Sequence, residues 1–101
     1  MVAGSLATLL DEGRYTECRQ AAERLLREPD LADIERAQAC LALSHSLMGL
    51  HDSQEAMAPG ELAVYFGRRA GAYDLVGRAL CHLAALYHEN RLQKRAVACL
   101  E

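Results

Sequence analysis

Tryptophan is absent from the 101 residues, phenylalanine occurs once, and Val, Ile and Thr together number seven. Strands draw on β-branched and aromatic residues, so this shortage argues against a β-rich domain. No apolar run approaches the roughly 20 residues that a membrane-spanning helix needs. The start, Met1-Val2-Ala3-Gly4, has neither the basic flank nor the long apolar stretch of a secretory signal. Lysine occurs once, against ten arginines, and no basic stripe is present. Nucleic-acid binding by this segment is therefore disfavoured. Cys18, Cys40, Cys81 and Cys99 show no C-x-x-C spacing, and each sits in an Ala/Leu-rich helical pattern. They read as free, buried, small hydrophobes in a cytoplasmic protein.

What is abundant is Ala (18) and Leu (17), over a third of the chain. Both favour helix. Half the residues are hydrophobic and a quarter charged, so the chain can bury a core. This length folds as one domain and buries about 65% of the surface that the unfolded chain exposes. The net charge is −3, with five basic and eight acidic residues in positions 1–50 and six of each in 51–101.

Helical periodicity runs through the chain. Val2, Leu6, Leu9 and Leu10 share one face, and Gly13 ends that helix. Tyr15, Cys18, Ala22, Leu25 and Leu26 mark a second helix, with Thr16 as a candidate cap and Pro29 as its terminator. Asp30 is placed to cap a third, along Ile34, Ala37, Leu41, His45 and Met48 to Gly49. Asp52 or Ser53 opens a fourth. Pro59 sits about six residues into it, which predicts a kink, or a loop with the helix proper starting at Pro59. Leu62, Tyr65 and Phe66 follow. Asp74 is placed to cap a fifth, carrying Val76, Ala79, Leu80, Leu83 and Tyr87. Ala96 and Leu100 begin a sixth.

The pattern repeats. Gly13, Tyr15, Thr16 and Cys18 recur as Gly49, His51, Asp52 and Gln54, an offset of 36 (49 − 13). Arg36-Ala37, Leu41-Ala42, His45 and Leu50 recur as Arg78-Ala79, Leu83-Ala84, Tyr87 and Leu92, an offset of 42 (83 − 41). The six-residue difference is close to the length of the irregular stretch around Ala56–Gly60.

A helix-turn-helix unit of this length resembles the tetratricopeptide repeat (TPR), whose signature is W-x₂-L-G-x₂-Y, A-x₃-F and P at a period of about 34. Leu83-Ala84-x-x-Tyr87 and Leu41-Ala42-x-x-His45 fit the first element. Cys18-x₃-Ala22 and Ala96-x₃-Leu100 fit the second, and Pro29 the third. No Trp opens a repeat, Leu6 occupies a small-residue place, and Gln54 stands where Ala is usual. The resemblance covers about two and a half repeats of the relaxed bacterial type. It implies an all-α fold of antiparallel helix-turn-helix repeats, stacked as a short right-handed α-solenoid. The single domain, 1–101, then divides near 1–30, 31–72 and an incomplete 73–101. The unfinished last repeat predicts a piece of a longer chain and self-association through uncapped end helices.

In that family the first helices of successive repeats line a concave groove for peptides. Carried onto this sequence, the resemblance marks Arg36, Leu43, Ser46 and Leu47, and by the 42-residue offset Arg78, Ala85, His88 and Glu89. Ala3, Ala7 and Leu10 line the groove in the first repeat. Leu43 and Leu47 would be apolar anchors. Arg36 and Arg78 would project from one wall and grip carboxylates.

Reactive chemistry has weaker footing. Cys81 and His88 share a helix face but are about 10.5 Å apart along its axis, too far to share a zinc ion. His45 reads as a packed core residue. His51-Asp52-Ser53 has the letters of a triad, but consecutive residues cannot converge on one reacting atom. No phosphate-binding loop, nucleophile elbow or H-E-x-x-H is present. The expectation is a non-enzymatic scaffold, without metal, cofactor or catalytic residue, that takes a peptide or helix of a partner protein in a groove. The competing expectation is a sensor or regulatory repeat segment of a bacterial transcription regulator or signalling protein.

Overall fold

The computed structural model describes residues 2–91, with side chains from Ser5 onward. Five helices follow one another: α1 (Val2–Asp11), α2 (Tyr15–Leu26), α3 (Asp33–Gly49), α4 (Ser53–Arg69) and α5 (Tyr73–Glu89). Among the described residues there is no strand. The sixth helix expected around Ala96 and Leu100 lies outside them, as does Cys99.

None of helices α2 to α5 is capped by a side-chain hydrogen bond at its N-terminus, where Arg14, Ala32, Asp52 and Ala72 stand. Thr16 and Asp74, candidate caps by sequence, lie inside their helices, and Asp30 lies in the loop before α3. Acidic residues in the first turns (Glu17, Asp33, Glu35, Glu55 and Asp74) complement the helix dipole instead. The C-terminal ends are better specified. Arg14 N–H donates to Leu9 O and Gly13 N–H to Leu10 O, the paired bonds of a Schellman motif. The same pair recurs at Asp52 and His51, and at Ala72 and Gly71. The left-handed seat of each motif is Gly13 (φ 71°), His51 (φ 65°) or Gly71 (φ 69°), and Arg91 (φ 62°) takes the same conformation after α5.

These turns reset the repeat register. Gly13, His51 and Arg91 each follow an odd-numbered helix by two residues, so the offsets are 38 (51 − 13) and 40 (91 − 51), not 36 and 42. The 36-residue offset makes Gly49 the turn residue, since glycine takes positive φ most cheaply. Gly49 is instead the last helical residue, and His51 holds the left-handed seat. In the corrected register Cys18 matches Ala56 and Ala22 matches Gly60, all four buried. Leu6, Ser44 and Ala84 match as buried residues of α1, α3 and α5. In this register Leu83-Ala84-x-x-Tyr87 lines up with Leu43-Ser44-x-x-Leu47, 40 residues earlier, and no six-residue insertion is needed.

Helix α4 runs unbroken through Pro59. Proline removes the N–H that would reach Glu55 O, and Glu55 is exposed, so water can take that place. One residue on, Gly60 permits a close approach of α3 and α5 side chains to α4. A Cβ there would lie 2.8 Å from Leu83 Cδ2 and 3.1 Å from Ser44 Oγ.

Each helix packs on its chain neighbours, and α3 also touches α1 and α5. Among the described residues the backbone of α2 does not approach that of α4 closely, nor does that of α1 approach α5. Helix α3 therefore lies between two clusters. Ala39 and Ala42 join Leu6, Cys18 and Ala22 on one side. Ala37, Cys40, Leu41 and Leu47 join Ala63, Val64, Leu75, Leu83 and Leu86 on the other. This explains why α3 carries apolar residues all round instead of one stripe. Leu6 and Leu86 are among the largest fully covered side chains, and truncating either to Ala would cost about 2–5 kcal/mol.

Candidate interaction groove

Because α1 and α5 flank α3 without meeting, a trough remains along α3. It is a hollow of about 470 Å³ lined by Leu6, Ala7, Leu10 and Asp11 of α1, Gln38, Leu41, Ala42 and His45 of α3, and Leu75 and Arg78 of α5. The floor is aliphatic, and the two walls carry opposite charges, Asp11 on α1 and Arg78 on α5. Two further hollows adjoin it at His45. One, of about 470 Å³, reaches Tyr15, Met48 and Gly49. The other, of about 740 Å³, runs along α5 past Tyr73, Gly77, Arg78, Cys81 and His82.

Beneath His45 lies a polar cluster in an otherwise apolar interior. Its imidazole lies against that of His82, with ring centroids 3.9 Å apart and planes 38° apart. His82 Nε2 is 2.7 Å from Ser44 Oγ, and Ser44 Oγ donates to Ala56 O at 2.6 Å. A carbonyl can only accept, so the single hydroxyl hydrogen of Ser44 is committed to Ala56. Ser44 must then accept from His82, which fixes the His82 proton on Nε2. Burial, reinforced by the nearby His45, pushes the His82 imidazole down to about 4. Burial and the Arg78 charge lower His45 as well. At neutral pH both rings are uncharged.

This arrangement is a structural joint and not a nucleophile–base pair. A catalytic serine donates its proton to the histidine, whereas here the donation runs the other way. Ser44 is also fully buried, beyond the reach of a substrate. Burial raises the thiols of Cys18 and, to about 11, of Cys40, so both stay protonated and unreactive at neutral pH. Cys81 departs from the buried reading, for it is exposed. Among the described residues no three His, Cys, Asp or Glu side chains are grouped as metal ligands would be. No described helix is long and apolar enough to cross a membrane.

The eight residues marked from the sequence do not share one surface. Arg78 lines the trough, whereas Arg36 is turned to the α2–α3 loop. There its guanidinium donates to Leu31 O (3.1 Å) and Pro29 O (3.3 Å), and it lies over the Phe66 ring at 5.8 Å. Ser46 is fully covered and donates to Ala42 O, and Leu47 belongs to the larger core cluster. Leu43 is half-buried between the two clusters. Ala85, His88 and Glu89 are exposed on the second half of α5, apart from the trough. Of the first-helix residues, Ala7 and Leu10 line the trough, while the Ala3 side chain lies outside those described. The cause is register. A two-residue error turns a helical position by about 200°, from one face to the other. Applied to α3, the 38- and 40-residue offsets bring out Leu41 and His45, which apolar periodicity alone assigns to the core.

No protein-family model, curated protein or solved structure matches the chain.

Proposed function

We propose that the chain is a short right-handed α-solenoid of TPR-like repeats that acts as a non-enzymatic scaffold, holding a segment of a partner protein in the trough over α3. The observation that carries this reading is the trough itself, with an aliphatic floor along α3 and opposite charges on the flanking α1 and α5. The near-equal offsets of 38 and 40 residues and the contacts among odd-numbered helices support a stacked arrangement, in which odd helices form one layer. A partner segment covers the apolar surface left on Ala7 and Leu10, over a floor already closed by Leu6, Leu41 and Leu75, and gains orientation from the polar rim. The test is capture of partner proteins from the source lysate by the wild-type chain and by Leu41→Asp and Ala7→Arg variants, with helicity checked by circular dichroism. Partners should be lost from a variant that remains folded. Equal capture by folded variants would overturn the assignment of the trough.

A further inference from the structure

We draw no further inference here: the strongest candidate, the hollow along α5 in which the exposed Cys81 lies beside Arg78 and the His45–His82 pair, rests on a lone cysteine, and nothing in the structure shows what covers it.

Discussion

Acidification should weaken this fold well before its carboxylates titrate, and the buried His82 is the reason. In the unfolded chain His82 takes up a proton near pH 6.5, whereas in the folded protein burial and the His45 ring hold it to about 4. Between those values the unfolded state binds more protons, so stability falls as pH falls. Full stability is present above pH 6.5. About 1 kcal/mol is lost by pH 5.5 and about 2.5 kcal/mol by pH 4.5, because each pH unit crossed between the two values costs about 1.36 kcal/mol. His45 is lowered in the same direction and adds to the loss. A domain of this size has only about 5–15 kcal/mol to lose. Urea unfolding followed by circular dichroism at pH 7.5, 5.5 and 4.5 measures the effect. The midpoint should drop by about 1 M or more by pH 4.5. Staying at or above pH 4.5 leaves aside Glu17, whose carboxyl is held below its ordinary value by its hydrogen bond with Arg14. His82→Gln keeps a donor for Ser44 but cannot be charged, so its midpoint should vary much less with pH. Equal midpoints at pH 7.5 and 5.5 for the wild type, or an undiminished fall in His82→Gln, would refute the reasoning.

Four substitutions probe the rest of the scaffold. Gly77→Ala, mid-helix with open space where the Cβ would go, should stabilise by about 0.5–1 kcal/mol and raise the melting temperature by several degrees in calorimetry. His51→Gly relieves a left-handed residue in the α3–α4 turn and should stabilise by about 1 kcal/mol, read as a higher urea midpoint with an unchanged slope. Arg36→Ala removes two hydrogen bonds to loop carbonyls and a contact with Phe66, so it should lower the urea midpoint by the equivalent of about 1–2 kcal/mol. Arg78→Ala, with no ion-pair partner to lose among the described residues, should leave thermal stability within about 0.5 kcal/mol of wild type.

The two arginines show where sequence reading succeeds and where it stops. Both lie near a helix start in similar local sequence, Arg36-Ala37 and Arg78-Ala79. Periodicity places both on helices. Their faces depend on the register, which Gly49 suggests wrongly because the turn belongs to His51. Pro59 carries the same lesson. Local rules allow a break there, with a loop before Pro59, yet α4 is one helix from Ser53 to Arg69, packed against α3 and α5.

Three features are legible in the order of residues alone: the helical class, the position of most helices, and small residues recurring at intervals near the length of a helical hairpin. They follow from spacing along one chain, which local sterics and apolar periodicity encode. Which faces meet is settled by packing in three dimensions. Packing buries Ser44 with His82, turns Arg36 to a loop, and leaves Asp11 and Arg78 facing an open trough. Such choices depend on how far helices turn relative to one another. A two-residue difference reverses a face there while hardly changing the pattern along the chain.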